Sequence, residues 1–246
     1  IRSCLVGSEM CIRDRLEFIP IAALIFERII HYGKPKKIIF STNGAREGVV
    51  YSKLEGSYLK EDPLIAGCKD IMLRMVRDHK YGYELLDWMK PILSHLPKEK
   101  IRLCLAACIL SEISCYENTE YRAELAYNKI LESSLTGINH YERAFIAKSL
   151  FFRYKPYADE DIFAPTSNLL SFKEVNTARL IGTAMRLGRS LSCSVEGVLS
   201  HCKLKVNDKK LTLILSNDFK ILKGEVINKR VKGLANILDL DYKIKA

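Results

Sequence analysis

The sequence lacks any uninterrupted apolar run long enough to span a bilayer, for which about 20 consecutive apolar residues are needed. The longest apolar run, Phe18–Phe26, is interrupted by Pro20 and followed directly by two charged residues, Glu27 and Arg28. No secretion signal is recognisable either. We therefore expect no membrane-spanning helix and no membrane among the partners of this chain.

None of the eight cysteines stands in a CxxC pair, the spacing common in zinc sites and thiol redox motifs. Cys104, Cys108 and Cys115 would share one face of a helix, at positions i, i+4 and i+11. A metal cluster built on them would need further ligands from elsewhere, so we predict buried free thiols. Reduced thiols without a secretion signal favour a cytoplasmic location.

A glycine-rich loop between a strand and a helix, the arrangement that cradles phosphate groups, is also missing. Gly44 and Gly48 are too sparse for such a loop and are typical of a turn. Around them we predict a helix over Leu16–Tyr32, a short buried strand over Lys36–Ser41 and a helix over Ala45–Leu54. A parallel sheet needs several strands, so this segment has the pattern of a torn domain edge.

Residues 1–15 show neither helical periodicity nor strand alternation. Within them, CLVGSEMCIRDR resembles a translated sequencing-adapter remnant. We expect residues 1–15 to be an artefactual leader, or else an authentic but truncated loop.

The charge balance is strongly basic, with 39 lysine and arginine residues against 29 acidic residues and a formal net charge of +10. Such an excess favours polyanionic partners, namely nucleic acid, an anionic membrane or a phosphate polymer. Charge does not choose among them, and a solvated lysine-rich surface has the same composition.

From Asp62 onward the pattern is almost purely helical, beginning with Asp62-Pro63, a favourable N-cap and first-turn pair. Lys98–Cys115 is strongly apolar, so we expect it to be the central buried helix. The helices are predicted over Pro63–Asp78, Tyr81–Leu93, Lys98–Cys115, Thr119–Ser133, His140–Tyr154 and Ser171–Leu191, with a loop over Pro156–Pro165.

The tail has a different pattern. His201–Val206 and Lys210–Leu215 alternate around Asn207-Asp208, which predicts a hairpin. A long amphipathic helix capped within Ser216–Asp218 should follow, then a last strand in DYKIK. Residues 203–246 contain 11 basic and 5 acidic side chains, so we expect this α+β unit to supply much of the positive field.

Several segments resemble the Ppx/GppA phosphatase family of exopolyphosphatases and guanosine pentaphosphatases. The segment Arg15–Leu54 resembles the end of that family's second actin-like lobe, and Ser41–Gly48 keeps the Arg-Glu-Gly core of its signature. The resemblance covers Leu16–Ala246 and continues through Ile101–Cys115, Tyr121–Glu124, Gly137–Ala147 and Ala178–Gly188.

This resemblance implies a mainly α protein with the torn end of an actin-like α/β lobe, an HD-like all-helical domain and a small α+β tail unit. The implied boundaries are residues 16–56 for the lobe end, 62–195 for the HD-like domain and 200–246 for the basic tail, after the leader 1–15. The family's catalytic carboxylates and Mg²⁺ site belong to its lobes, so no catalytic residue is assigned here and Mg²⁺ is expected outside this fragment.

The HD-like domain, by the same resemblance, has lost its metal ligands. Tyr81 stands in place of the early histidine, Ser111-Glu112 in place of the His-Asp doublet, and Arg189 near the late aspartate. Glu112 and His140 remain as possible ligands, but two are too few. We predict no metal in this domain.

An anionic substrate could instead be held by arginines, whose forked guanidinium groups suit phosphate oxygens. The candidate substrate-binding residues, each of which could equally be a surface or ion-pair arginine, are Arg46, Arg143, Arg153 and Arg186.

Three functions remain open. The first is a phosphoric anhydride hydrolase that removes terminal phosphate from polyphosphate or guanosine pentaphosphate (pppGpp), of which this fragment alone is inactive and supports substrate binding. The second is a metal-dependent HD phosphohydrolase, and the third is a noncatalytic helical module that binds a polyanion. The partners expected for the first are polyphosphate or pppGpp and a possible homodimer, with no specific nucleic acid.

Overall fold

A computed structural model describes residues 16, 18–38, 44–75, 80–157 and 160–245. The chain divides into two units, Ile1–Leu54 and Glu55–Ala246. Among the residues that the structure describes, no helix combines the length and apolar character that crossing a membrane requires.

The first unit contains helices α1, Ile19–Gly33, and α2, Ala45–Ser52. Pro20 lies in the first turn of α1, where a backbone N–H would have no partner within the helix, so its missing N–H costs no hydrogen bond. The helix ends where Lys34 adopts a left-handed φ of 40°. These two helices confirm the predicted ones within a few residues. Residues 36–38 of the predicted buried strand Lys36–Ser41 are exposed and in no strand, so this half of the prediction is wrong. Residues 39–41 and the leader 1–15 lie outside the described residues.

The second unit is a helical body with a small sheet. Its helices are α3 (Pro63–Leu73), α4 (Tyr81–Leu93), α5 (Lys98–Ile109), α6 (Arg122–Glu132), α7 (His140–Tyr154), α8 (Phe172–Ser192) and α9 (Glu225–Ile237), and its strands are β1 (Cys202–Asn207), β2 (Lys210–Leu215) and β3 (Asp241–Lys245). Short 3₁₀ turns occur at Tyr58–Lys60, Leu110–Glu112, Glu160–Thr166, Leu199–His201 and Asn217–Leu222.

Helix α7 occupies the centre of this body, because every residue over 144–153 is buried and the helix packs against α5, α6 and α8. The expectation that Lys98–Cys115 would be the central helix is therefore wrong. Helix α5 is exposed or half-buried over 98–102, is buried all round only over 106–109, and ends at Ile109, where the chain tightens into the 3₁₀ turn Leu110–Glu112. The predicted buried thiols are confirmed for Cys104 and Cys108, which are free and buried, while Cys115 is half-buried.

Two helix starts differ from the predictions. Helix α6 begins at Arg122 rather than Thr119, because the side chain of Asn118 accepts the Glu120 N–H at 3.0 Å and folds a turn first. The tail helix α9 begins only at Glu225, because Gly224 has extended backbone and a separate 3₁₀ turn precedes it.

The sheet has the order β1-β2-β3. Strands β1 and β2 form the predicted antiparallel hairpin, with Cys202 opposite Leu215, and β3 confirms the last strand by pairing parallel to β2. Strand β1 packs against α4, where the Trp88 indole donates to the Cys202 carbonyl, and α9 packs against α8. Residues of helices and sheet thus share one continuous core.

Candidate anion-binding site

A basic cavity of about 360 Å³ lies where α7, α8 and α9 meet the segment that follows α5. We call it the arginine cavity, because five arginines line it and, among the described residues, Glu112 is the only acidic one in its wall. Its lining residues are Glu112, Cys115, Thr119, Arg122, Arg153, Tyr154, Arg186, Arg189, Ser190, Cys193 and Arg230.

The spacing along α8 and a close contact with α7 create this cavity. Arg186 and Ser190 share one face of α8 at i and i+4, and Cys193 caps the C-terminal end of the helix. One turn earlier, a Cβ on Gly182 would lie 2.5 Å from the Ser149 carbonyl oxygen and 2.7 Å from the Arg153 backbone nitrogen. Only glycine allows this approach, which sets the last turns of α7 against α8.

Glu112 holds two of the five guanidinium groups. Its Oε1 accepts from Arg153 Nη2 at 2.5 Å, and its Oε2 accepts from Arg189 Nε at 3.4 Å. Glu112 and Arg153 are 6% and 7% exposed, so this ion pair is shielded from solvent. The negative charge of Glu112, with Cys193, raises the pKa of Arg189 although burial acts to lower it. A single carboxylate therefore fixes the geometry of two cations without neutralising the cavity.

Tyr154 lies between two guanidinium groups. The Arg153 guanidinium lies 4.3 Å from the centre of its ring, and that of Arg122 lies 5.9 Å from it. The Tyr154 hydroxyl donates to the Ser111 carbonyl at 3.1 Å and accepts from the Ser114 N–H at 3.1 Å. Burial raises the pKa of this hydroxyl to about 12, so it stays protonated and keeps both bonds at neutral pH.

Arg186 and Arg230, together with Arg122, carry the unneutralised charge. Within the described part of the chain, no carboxylate lies within 4.0 Å of the guanidinium group of Arg186 or Arg230. Burial, and then the positive charge of Arg153, lower the pKa of Arg186. Burial and the neighbouring cations Arg186, Arg153 and Arg189 lower the pKa of Arg230. Each shift reports that a positive charge is unfavourable there, which is the condition that a bound anion relieves.

Two further nitrogen atoms have unused hydrogen-bonding capacity. The Nε atoms of Arg153 and Arg122 are buried and have no hydrogen-bond partner among the described residues. The Arg122 guanidinium makes one bond, from Nη2 to the Glu117 carbonyl at 2.9 Å. Buried polar groups in proteins are generally paired, so the protein alone does not saturate these side chains.

A second cavity of about 420 Å³ adjoins the first and shares Glu112, Cys115, Arg189 and Cys193 with it. We call it the tyrosine cavity. It is lined by Met72, Tyr81, Gly82, Ile109, Ser111, Glu112, Cys115, Tyr116, Arg189, Cys193, Ser194, Val195 and Glu196.

The tyrosine cavity gathers the residues that the sequence placed in register with lost metal ligands, Tyr81, Ser111-Glu112 and Arg189. The Tyr81 hydroxyl accepts from Ser192 at 3.2 Å, and burial raises its pKa to about 12. Among the described residues, no group of three or more His, Cys, Asp and Glu side chains could hold a metal ion. Of the two described carboxylate residues that line this cavity, Glu112 is already paired with Arg153 and Arg189, so with Glu196 it forms a donor set that does not fit Mg²⁺.

Two of the four candidate arginines meet in this site, since Arg153 and Arg186 both line the arginine cavity. Arg143 lies elsewhere and donates to the carbonyls of Ile130, Ser133 and Leu135 at 2.6–2.9 Å, where it satisfies the C-terminal end of α6. Arg46 is exposed on α2 in the other unit. His140 is exposed at the start of α7 and lines neither cavity.

Three cavity arginines escaped the sequence analysis as anion ligands, namely Arg122, Arg189 and Arg230. Arg189 could have been found, because it follows Arg186 by three residues on the same helix. Arg122 and Arg230 come from α6 and α9, and no local pattern in the sequence indicates that their side chains reach the same cavity as Arg186.

A family model described as "Exopolyphosphatase, C-terminal" matches residues 64–244, which is most of the chain and contains both cavities. No curated protein sequence matches the chain at a significant level.

Proposed function

Because the chain belongs to the exopolyphosphatase C-terminal family, we propose that it is part of a phosphoric anhydride hydrolase and that its helical unit holds the phosphate chain of the substrate. The substrate class is polyphosphate or guanosine pentaphosphate. In this role the helical unit binds and orients the substrate, and it does not cleave it.

The observation that carries this proposal is the arginine cavity, in which five guanidinium groups face one carboxylate. Bidentate guanidinium groups match the geometry of phosphate oxygens, and the half-buried position strengthens each contact relative to water. Arg186 and Arg230 are the guanidinium groups most available to bind phosphate, because no described carboxylate is paired with either of them. The guanidinium of Arg153 is fixed in position by its hydrogen bond to Glu112 and its contact with the ring of Tyr154.

The chemistry itself belongs, in this proposal, to the paired lobes of the family, of which residues 16–56 are the actin-like end. Mg²⁺ would be bound there, where it would stabilise charge on the phosphoryl oxygens. The helical unit would be an HD-like scaffold in which a tyrosine, a serine and an arginine have taken the positions of metal ligands. A cation site would thereby have become an anion site.

The remaining expectations belong to the same proposal. The family resemblance also implies a homodimer and a cytoplasmic location. The basic tail, residues 200–246, would add positive charge that attracts the polyanion. Arg143 and Arg46 take no part in the cavity, so the proposal rests on Arg153 and Arg186 among the candidates from the sequence.

Charge reversal tests this role. The double variant Arg153→Glu/Arg186→Glu should retain far less polyphosphate in a filter-binding assay at low salt. The control is Lys229→Glu/Lys232→Glu, which makes the same charge change at exposed positions of α9 outside the cavity. Since reversing the buried Arg153 can unfold the protein, the single variant Arg186→Glu is measured as well, with circular dichroism as the folding check. Equal retention by the cavity and control variants would overturn the proposal.

A phosphate-release assay separates holding from cleaving. The chain described here should release no phosphate from polyphosphate with Mg²⁺ or Mn²⁺, whereas a protein in which the lobes precede it should be active. Metal-dependent release by the present chain would instead support the HD phosphohydrolase. Inactivity of both proteins would support a noncatalytic polyanion-binding module.

A further inference from the structure

A separate cavity of about 400 Å³ lies where α8 and α9 meet residues 156–157, just after the end of α7. Its volume is within the range of small-molecule sites. Among the described residues, it shares no part of its wall with the arginine cavity or the tyrosine cavity. We call it the Arg179 cavity. Its lining residues are Pro156, Tyr157, Phe172, Asn176, Arg179, Thr183, Gly233, Asn236 and Ile237.

Arg179 brings to this cavity a positive charge without a described counter-charge. Asn176, Arg179 and Thr183 follow one another at i, i+3 and i+7, so they share one face of α8. The Arg179 guanidinium lies 5.0 Å from the centre of the ring of Phe152, a fully buried residue, and this contact helps to hold it in place. Within the described ranges, no carboxylate lies within 4.0 Å of this guanidinium and no second cationic side chain lines the cavity. The cavity therefore suits a ligand with a single negative charge.

Two amide side chains in the wall are available to a ligand. Asn236 is exposed and Asn176 is half-buried, and neither amide group hydrogen-bonds to another described residue. Each amide offers both donors and an acceptor. Because Asn176 belongs to α8 and Asn236 to α9, a ligand in the cavity can bond to both helices.

Two aromatic rings border the same cavity. Tyr157 is 76% exposed and Phe172 is 81% exposed, although both are large aromatic residues. Rings with this exposure leave apolar surface in water, which a flat group can cover by stacking. The half-buried Pro156 and Ile237 add further apolar wall. An inorganic phosphate chain gains nothing from such surface, so the wall favours a ligand with a flat apolar body.

We infer that the Arg179 cavity binds a small organic molecule that carries one carboxylate on a flat aromatic body. The guanidinium of Arg179 accepts the carboxylate as a pair of charge-assisted hydrogen bonds. The rings of Tyr157 and Phe172 cover the aromatic body, and the amides of Asn176 and Asn236 bond to its polar substituents. This ligand differs in class from a phosphate chain, and the inference does not rest on the proposed function.

Calorimetric titration of the intact chain with naphthoate and with its neutral amide, naphthamide, tests this inference. The two probes share the flat body and differ in charge, so their difference in affinity measures the carboxylate contact. We expect naphthoate to bind about tenfold tighter than naphthamide. Arg179→Met should remove this difference, because methionine keeps an apolar contact with Phe152 but has no charge. Arg74→Met is the matched control, because Arg74 is exposed and lines none of the three cavities.

Gly233→Leu tests the place of binding without removing a charge. Nothing lies within 4 Å of a Cβ added at Gly233, so a leucine there occupies open space at the cavity wall without a clash. It should weaken naphthoate binding about tenfold while circular dichroism and thermal unfolding remain those of the parent. The control is Lys232→Leu, at the neighbouring exposed position of α9 outside the cavity, which should bind naphthoate as the parent does.

Competition with inorganic tripolyphosphate at constant ionic strength distinguishes this cavity from the arginine cavity. An excess of tripolyphosphate should leave naphthoate binding unchanged, and displacement of naphthoate would overturn the inference. The inference is also wrong if the parent binds naphthoate no tighter than naphthamide, or if either Arg179→Met or Gly233→Leu binds naphthoate as the parent does. None of these results depends on phosphate holding, so failure here leaves the proposed function standing.

Discussion

At the scale of single residues, the site depends on Glu112. This carboxylate is buried, pairs with Arg153 and Arg189, and is the only acidic group that the described part of the chain places in the wall of the arginine cavity. Breaking a buried ion pair by removing one partner leaves the other charge desolvated and uncompensated. Glu112 therefore stabilises the fold and keeps the neighbouring cations in place before any anion binds.

Glu112→Gln should lower the free energy of unfolding by about 3–5 kcal/mol, because Arg153 would remain buried among cations without its counter-charge. Denaturant unfolding monitored by circular dichroism measures this loss. Added phosphate should recover part of it, since a bound anion can take the place of the carboxylate.

The control for Glu112→Gln is Asp70→Asn, which removes the partner of Arg74 in a pair whose side chains are 64% and 76% exposed. Exposed pairs contribute about 0–1 kcal/mol, so this variant should unfold almost as the unaltered protein does. Equal destabilisation by the two variants would show that burial does not increase the contribution of the Glu112 ion pair to the free energy of unfolding.

Residue identity alone pointed to arginines as phosphate ligands. It did not indicate which arginines lie together in one cavity. The sequence singled out Arg153 and Arg186, which line one cavity in the structure, but it also singled out Arg143, whose guanidinium is occupied by backbone carbonyls. Arg230 could not be selected, because its place depends on how α9 packs on α8.

At the scale of helices, the contact of α7 with α8 at Gly182 decides whether the cavity forms. A Cβ there would lie 2.6 Å from the Phe152 Cβ and 2.7 Å from the Arg153 nitrogen. Backbone atoms on both sides cannot yield without moving a helix, so any larger residue separates α7 from α8. The displaced turn is the one that carries Arg153.

Gly182→Ala should destabilise the protein by about 1–3 kcal/mol, as overpacking of a close-packed core does. It should also weaken polyphosphate binding, because Arg153 moves with α7. Thermal unfolding and filter binding measure the two effects.

The matched substitution is Gly233→Ala in α9, where nothing lies within 4 Å of an added Cβ. An alanine in a helix is favoured over glycine by about 0.5–1 kcal/mol, so this variant should be as stable as the parent or slightly more so. A neutral result for Gly182→Ala would contradict the assigned role of the helix contact.

The N-terminus of α3 provides a pH-dependent test. Asp62 accepts the Leu64 N–H at 2.9 Å and pairs with Arg102 through Nη2 at 2.8 Å, and the Arg102 hydrogen bond lowers the pKa of Asp62. A lowered carboxyl pKa contributes stability that is fully present above the ordinary value of about 3.9 and is lost as the pH falls through the native value.

Asp62→Ala should therefore lower stability by about 1–2 kcal/mol near neutral pH, through loss of the cap. The difference from the parent should shrink as the pH falls below about 4. Thermal midpoints of both proteins across this range measure it. A constant difference at all pH values would exclude the ionised carboxylate as the cause.

Helix positions were more predictable than helix ends. Tyr81–Leu93 and His140–Tyr154 were predicted with their observed bounds, since apolar periodicity and, for α7, the capping box at Asn139 are local signals. The start of α6 and the break before α9 were missed, because a side-chain turn at Asn118 and an extended Gly224 compete with helix formation.

At the scale of the whole molecule, the net charge of +10 predicts a polyanionic partner but not a place for it. The structure adds a candidate place, since five arginines from four segments converge on one cavity within residues 55–246. Such convergence depends on the tertiary structure. A sequence pattern within one helix can reveal only that Arg186 and Arg189 lie close together.

The central claim is that this cavity, rather than the diffuse positive charge, holds the phosphate chain. Calorimetric titration of inorganic polyphosphate into the intact chain tests it most directly, with Arg186→Ala/Arg230→Ala compared with Lys229→Ala/Lys232→Ala. Both double variants remove two positive charges, but only the first alters the cavity. We predict that the first weakens binding about tenfold or more while the second changes it little. Equal losses in the two variants would contradict the claim.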